Sequence, residues 1–197
     1  MSPARARTSQ AAIVAAAREL LEAEGLQAVT MATVAARVGV KPPSLYKHVR
    51  DRAALLAALA TDTTQELGRV LTLADEAPAA PPETRLRALA GAFRDFARRS
   101  PRATAMLFTD LGPGSHAPVE AAALAVRPLI ELTTALVGPA GALPAARVLT
   151  AFAYGFTSME SAGAFRLGGD VDEAFGLGVA VLAEGLRTAR PRSRVPA

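Results

Sequence analysis

Apolar positions in the first quarter of the chain recur at three- and four-residue spacing. Ile13, Ala16, Ala17, Leu20 and Leu21 fall on one helical face, while Arg18, Glu19 and Glu22 lie elsewhere. Thr8 or Ser9 caps this helix, which runs to Glu24 and stops at Gly25. Leu26 and Val29 carry the apolar side across the connection, and Thr30 caps a second helix over residues 31–38. Gly39 ends that helix where the backbone must reverse with positive φ. Pro42 and Pro43 hold the turn open and start a third helix at a position where a missing N–H costs nothing. In that helix Leu45 and Val49, four apart, face inward; Ser44, Lys47 and His48 share the opposite side with Tyr46 beside them.

The same periodicity predicts helices through the rest of the chain. Residues 51–74 read as one long helix, opened by Asp51 and Arg52, with Leu55, Leu56, Leu59, Leu67, Val70 and Leu71 on its apolar side. The Pro/Ala-rich stretch that follows cannot hold a helix and marks a boundary. Residues 84–99 are helical again, with Leu86, Leu89, Phe93 and Phe96 as the buried stripe. Ser100 and Pro101 begin another helix through Met106, Leu107 and Phe108. Residues 111–118 form a loop, and residues 119–137 and 145–166 form two main helices around a Gly- and Pro-rich connection. Phe152, Tyr154, Phe156, Met159 and Phe165 concentrate much of the aromatic and Met content, which favours a core or a dimer seam; Gly155, Ala162 and Gly163 admit a close second helix. Gly168 and Gly169 stop that helix, and the Asp170/Glu173 capping-box spacing starts the last one, which carries Phe175, Leu177, Val181, Leu182 and Leu186. The expected class is all-α.

Composition narrows the picture. Ala dominates and β-branched runs are sparse, which favours helix over strand. Apolar stretches are interrupted well before the ~20 residues a membrane span requires, and the basic N-terminus precedes a charged helix rather than the apolar centre of a signal peptide. With no Cys, neither a disulfide framework nor a thiolate metal site is expected, and a cytoplasmic location is the default. Two His residues, His48 and His116, are too few for a zinc ligand set without Cys, and no cofactor or metal is expected.

Charge is distributed unevenly. Residues 1–50 hold Arg5, Arg7, Arg18, Arg37, Lys41, Lys47 and Arg50 against Glu19, Glu22 and Glu24, a net +4. Arg187, Arg190, Arg192 and Arg194 give the tail another +4, so the stretch between is net −4. A basic module on an acidic body is the asymmetry expected if only the first part meets phosphate; the alternative is Arg solvating helix faces.

Residues 30–49 therefore carry the functional expectation. Two short helices joined by a tight Gly turn, with a small Ala35 four residues before Gly39, are the helix-turn-helix pattern, whose second helix enters the DNA major groove. The hydroxyls, cation and imidazole on its outer side suit base edges and phosphates. The first-turn amides of the long helix, together with Arg52, suit a phosphate. Two enzyme readings of the 111–118 loop are weak. Gly112 and Gly114 lack the preceding strand and third Gly of a dinucleotide turn, and Asp110, Ser115 and His116 are close neighbours in a loop that rarely achieves triad geometry. A rival from another class is a helical adaptor that binds protein through its head.

These residues carry a resemblance. From about residue 8 to residue 60 the chain resembles the N-terminal DNA-binding domain of TetR-family transcriptional regulators, through EGLQAVT, VAARVGV, PSLYKHV and RDRAALLAALA. The resemblance implies a homodimer of all-helical subunits: a three-helix helix-turn-helix DNA-binding domain, then a helical-bundle ligand-binding and dimerisation domain. It implies DNA contacts at Thr30, Lys41, Pro42, Ser44, Tyr46, Lys47 and His48 and a phosphate contact at Arg52. Met31 and Ala32 stand where relatives often have a polar or basic contact residue, so the second helix contributes less to base reading. Farther on, the chain resembles the TetR subfamily with a Trp-His-Gly motif, at a place occupied here by Ala153, Tyr154 and Gly155; in that architecture the final two helices pair with their mates in a four-helix dimer interface.

The expected organisation is a DNA-binding domain with its connecting helix over residues 8–74, a linker over 75–82, a ligand-binding and dimerisation domain over 83–188, and a basic, disordered tail over 189–197. The expected function is a homodimeric repressor of a near-palindromic duplex operator, released by a small effector and without catalytic residues. Phe93, Phe96, Met106, Phe108, Tyr154 and Met159 are the candidate pocket wall. Few charges stand there, so the effector is expected to be apolar or amphipathic.

Overall fold

The computed structural model describes residues 9–75 and 79–188, and among these all regular structure is helical. Ten α-helices follow in order: α1 Gln10–Glu24, α2 Met31–Val38, α3 Pro42–Leu45, α4 Arg52–Ala74, α5 Pro82–Arg99, α6 Pro101–Leu107, α7 Val119–Ala125, α8 Arg127–Val137, α9 Pro139–Ser161 and α10 Val171–Thr188. A short 3-10 turn, Leu26–Ala28, joins α1 to α2. No described helix is long and apolar enough to cross a membrane. Thr8 as a cap, the 189–197 tail and the middle of the expected linker lie outside the described residues; Ser9 caps α1, its hydroxyl accepting from the Ala12 N–H at 3.2 Å.

Contacts divide the chain into two compact units. One unit runs to Glu66 and includes Ser100–Ala122; the other comprises Leu67–Arg99 and the chain from Ala123 onward. The physical reason is α6. Its Ala103 and Met106, 0 % and 2 % exposed, belong to the same core as Ile13, Leu21, Val34, Leu45 and Leu59. The helix that carries Met106, one of the candidate pocket residues, is thus a wall of the N-terminal head. The α4 helix runs from one unit into the other, its first half contributing Leu55, Leu56 and Leu59 to the head core.

In the second unit α5 buries Leu86, Leu89, Phe93 and Phe96, the stripe expected from sequence. Phe152 and Phe156 of α9 pack on Phe175 of α10 with ring centroids 5.6 and 5.1 Å apart. Gly178 makes room for this cluster: a Cβ there would come within 2.6 Å of Phe152 Cε2. Arg94 is buried against the same rings, its guanidinium carbon 4.6 Å from the Phe175 centroid. Both Arg94 Nε and Nη2 donate to the Glu160 carboxylate, at 3.0 and 2.7 Å, while Nη1 lies 2.8 Å from Asp172. Arg98 joins the same two carboxylates at 2.7 and 2.8 Å, so α5 holds the ends of α9 and α10 together.

Two expected helices differ. Residues 119–137 are not one helix but α7 and α8, broken at Val126 with Pro128 in the first turn of α8. A Pro there cannot donate to the Leu124 carbonyl, and its ring would clash with it in a continuous helix. The α9 helix starts earlier than expected, at Pro139, and tolerates Pro144 inside it; it ends at Ser161, leaving 162–166 outside. The last helix starts as expected, with the Asp170 carboxylate accepting from the N–H groups of Asp172 and Glu173 at 2.7 and 3.1 Å.

Candidate nucleic-acid interface

The helix-turn-helix is built from reciprocal local bonds. Thr30 Oγ1 accepts from the Thr33 N–H at 3.1 Å, and the Thr33 hydroxyl accepts from the Thr30 N–H at 3.0 Å, which together satisfy two donors at the start of α2. The Thr33 hydroxyl also donates to the Ala28 carbonyl at 2.6 Å, tying α2 to the turn before it. At the other end Gly39 takes φ 78°, ψ 29°, and the Val40 N–H donates back to Ala35 O at 2.9 Å. A side chain at Gly39 would be strained in this left-handed conformation.

The α3 helix is shorter than the apolar spacing suggests: four residues, Pro42–Leu45, continued as a turn through His48. The Ser44 N–H donates to Lys41 O, and the His48 and Val49 N–H groups both donate to Leu45 O. This single tight coil still buries Leu45 and Val49, 0 % and 4 % exposed, against Val34 and Ala35. Burying that side puts the other in solvent: Lys41, Pro42, Tyr46, Lys47 and His48 are exposed and Ser44 is partly so. Tyr46, at 53 % exposure, is a large ring left out of a core that had room for Leu45 beside it. The structure therefore brings Lys41, Pro42, Ser44, Tyr46, Lys47 and His48 onto one outward turn. Thr30 sits apart from it, at the start of α2, with its hydroxyl engaged in capping.

Arg52 has partners within the fold. Its Nε and Nη2 donate to the carbonyls of Val29 and Leu26, at 2.8 and 2.9 Å, so that edge of the guanidinium clasps the α1–α2 connection. Asp51 fills the start of α4, its Oδ1 accepting from the Ala54 N–H at 2.8 Å. That amide first, and then the Arg50 guanidinium, hold the Asp51 carboxyl below the ordinary carboxylate range. Arg50 is the cation that sequence reasoning did not single out: its side chain is 85 % exposed, immediately after the recognition turn, and only its Nε is held by Asp51, at 2.8 Å. The signal was its place directly after the Leu45–Val49 run. On α2 the outward positions Ala32 and Ala36 offer no hydrogen-bonding side chain, and Arg37 points to Glu19 at 3.1 Å.

The remaining candidates scatter. Met106 is in the head core, Phe108 is in the same unit at 42 % exposure, and Phe93, Phe96, Tyr154 and Met159 belong to the second unit. Phe96 is 1 % exposed and part of the packing, whereas Met159 is 50 % exposed, so the six do not line one wall within either unit. In the 111–118 loop, His116 Nε2 accepts from the Leu111 N–H at 3.4 Å and lies 4.0 Å from Asp110 Oδ1, which itself accepts from the Gly112 N–H at 2.9 Å. Ser115 is buried, and among the described residues no hydrogen bond joins it to His116. These groups fasten the loop's own turns.

Comparison with known proteins agrees with this architecture. The family described as "Bacterial regulatory proteins, tetR family" matches residues 13–59, and "Tetracyclin repressor-like, C-terminal domain" matches residues 86–182. The chain is 35% identical over 101 residues to the uncharacterized HTH-type transcriptional regulator YobS of Bacillus subtilis (strain 168). That match spans 51% of this chain and 51% of YobS, so the chain covers about half the length of that relative. Among solved structures, a protein with unknown function from Rhodococcus sp. RHA1 is similar with a TM-score of 0.78 and 26% identity, over 95% of this chain and 100% of that one. A TetR variant from Acinetobacter baumannii AYE in complex with minocycline is similar with a TM-score of 0.70 and 25% identity, over 93% of this chain and 100% of that one. The two matched regions cover the helix-turn-helix head and most of the second unit, and the chain belongs to the TetR family of bacterial regulatory proteins.

Proposed function

We propose that this protein is a sequence-specific DNA-binding transcriptional regulator, a homodimeric repressor released from its operator by a small molecule. The observation that carries the reading is the outward turn of Lys41, Ser44, Tyr46, Lys47 and His48. It is presented by a capped helix pair whose inner residues, Val34, Ala35, Leu45 and Val49, are all buried. Hydroxyls, an imidazole and two ammonium groups on one short element match the donors and acceptors of a major-groove edge. Arg50 beside them suits a backbone phosphate.

Homodimerisation is supported by apolar side chains left in solvent on the last two helices: Leu143, Val148 and Met159 on α9, and Leu177 and Val181 on α10. Leu177 and Val181 are four apart on one face, where a second copy would cover them. Two recognition turns would then enter successive major grooves roughly 34–36 Å apart on a near-palindromic site. A small effector is supported by the minocycline complex of the Acinetobacter relative. It would act by binding more tightly to a dimer geometry that does not fit this spacing. The test is selection of bound sequences from random duplex DNA, followed by titration of the selected duplex across salt concentration. A two-fold-symmetric motif and falling affinity with rising salt are expected; retention of no duplex, or affinity indifferent to salt, would overturn the reading.

A further inference from the structure

Four arginines of the described head use their terminal nitrogens inside the fold. Arg18 gives Nη2 to Asp62 and Nη1 to Glu66, Arg37 gives Nη1 to Glu19, Arg52 gives Nη2 to Leu26 O, and Arg102 gives Nη1 to Glu22 O. Arg50 is arranged the other way round. Among the described residues its side chain makes one bond within the fold, from Nε to Asp51 Oδ2 at 2.8 Å, and it is 85 % exposed. Nη1 and Nη2, the pair that can meet a phosphate as a fork, are left in solvent two residues after His48.

The residue that holds Arg50 is itself held. Asp51 Oδ1 accepts from the Ala54 N–H at 2.8 Å, and the Asp51 carbonyl accepts from the Leu55 N–H at 3.0 Å, so the carboxylate is seated on the first turn of the 23-residue α4. A negative group is favoured at that end of a helix. On the other side Arg50 follows Val49, which is buried and donates its N–H to Leu45 O. The guanidinium is thereby referenced to two core residues, Val49 before it and Leu55 after it. An exposed ion pair contributes little to stability. Its effect here falls on binding, because an Arg already held loses less side-chain freedom when it meets DNA. Both oxygens of Asp51 are engaged as well, so this acidic residue presents no bare carboxylate to a phosphate.

We infer that Asp51 is a positioning residue for DNA binding: it fixes Arg50 through Nε so that Nη1 and Nη2 meet one backbone phosphate beside the recognition turn. This rests on the DNA-binding reading above and deepens it. It also reverses a simple electrostatic expectation. A carboxylate next to DNA should only weaken binding, and if charges add independently Arg50 contributes the same whether Asp51 is present or not. Positioning instead makes the contribution of Arg50 depend on Asp51. Lysine cannot replace Arg50 in this role, since an ammonium has no Nε to be held by and no planar fork to offer.

The experiment is a double-mutant cycle on the full chain, read by fluorescence-anisotropy titration of the duplex recovered by selection. It uses wild type, Arg50→Ala, Asp51→Asn and the double variant. Asn has one oxygen where Asp has two, so it keeps the bond to Ala54 and remains a good cap while releasing Arg50. Thermal denaturation checks that the cap survives, and Asp51→Ser, also a capping residue, repeats the cycle. Arg50→Ala is expected to weaken binding roughly two- to tenfold more in the wild-type background than in the Asp51→Asn background, the range for one side chain held in advance. It should also lower the slope of log affinity against log salt by about 0.9. Arg50→Lys should keep the wild-type slope yet bind no better in the wild-type background than with Asp51→Asn. An equal cost of Arg50→Ala in both backgrounds, or Arg50→Lys binding as wild type does, overturns the positioning role. Failure of wild type to retain any duplex instead overturns the DNA reading, and with it the role of Asp51, and is seen separately by mobility shift.

Discussion

Arg52 offers the sharpest test, because two jobs predict opposite measurements. The sequence resemblance assigns it to a phosphate, whereas the structure has it donate from Nε to Val29 O and from Nη2 to Leu26 O at 2.8 and 2.9 Å. Replacing it by Met keeps the stem's packing and removes both bonds. Hydrogen bonds from a charged donor contribute about 1.5–3 kcal/mol each. The side chain is only partly buried, so water recovers some of that loss at the freed carbonyls. Removing a cation from the first turn of α4 also returns roughly 0.3–1 kcal/mol through the helix dipole. The net expectation is a loss of about 2–3 kcal/mol. For a chain of this size each kcal/mol corresponds to roughly 2–4 °C, so Arg52→Met should melt roughly 4–12 °C below wild type. The assay pairs thermal denaturation by circular dichroism with fluorescence-anisotropy titration of the selected duplex between roughly 50 and 200 mM salt. As a clasp, Arg52 leaves the slope of log affinity against log salt unchanged. As a phosphate contact, its loss lowers that slope by about 0.9 per contact with little change in melting. A variant that melts with wild type and shows the shallower slope would refute the clasp.

Other consequences follow from particular contacts. Lys47→Ala should weaken binding of the selected duplex by about 1–3 kcal/mol and relax preference at one base position; a uniform loss across sequences would make Lys47 a phosphate contact instead. Gly178→Ala should destabilise the second unit by about 1–3 kcal/mol, because its Cβ meets the Phe152 ring, and Phe152→Leu in the same chain should recover part of the loss. If calorimetry shows Gly178→Ala raising the melting temperature, the close packing there is wrong. Glu160 is held below the ordinary carboxylate range first by hydrogen bonds from Arg94, against an opposing effect of burial. A carboxyl whose folded pKa is depressed contributes stability above its unfolded value, about 4.3, and loses it as pH falls through the lower folded value. Wild type should therefore lose melting temperature steeply below about pH 4.3, and Glu160→Gln should show a shallower fall; parallel curves would show that the Arg94 network does not govern acid stability.

What could be read from sequence was what local chemistry decides. Thr30 as a cap, Gly39 as a left-handed terminator and Leu45 with Val49 as the inner pair are each dictated by neighbours within a few residues, and all hold. The buried stripe of α5 was legible for the same reason, since 3.6-residue periodicity is a property of one helix. The break at Val126 was legible in principle from Pro128, whereas Pro144 inside α9 shows that the same residue can be accommodated. Partnership across the chain was not legible. Nothing in the sequence distinguishes a Met106 facing the head core from one facing a ligand pocket, because both need the same apolar stripe. The partners of Arg52 were not legible either, because carbonyls 23 and 26 residues away leave no side-chain signature.

The basic residues of the head sharpen what its charge means. Counting gives a basic module, yet Arg18 bridges Asp62 and Glu66 at 2.8 and 2.9 Å, and Arg37 lies 3.1 Å from Glu19 and 3.7 Å from Glu24. A cation matched by a carboxylate on a neighbouring helix presents a dipole rather than a charge to anything about a Debye length away. Lys41 and Lys47 make no ion pair among the described residues, and Arg50 has only its Nε engaged. Among the described residues, Lys41 and Lys47 thus put two cations without a carboxylate partner on one turn, together with the Tyr46 and His48 side chains. The outward α2 positions beside it, Ala32 and Ala36, carry no hydrogen-bonding side chain. A single short turn spans few base pairs, and each specified pair contributes only about 1–3 kcal/mol of discrimination. On the proposed function, one subunit alone would therefore discriminate poorly. On the same proposal, operator choice would come from demanding two such half-sites at a fixed separation, which would make the spacing between recognition turns the quantity an effector has to control.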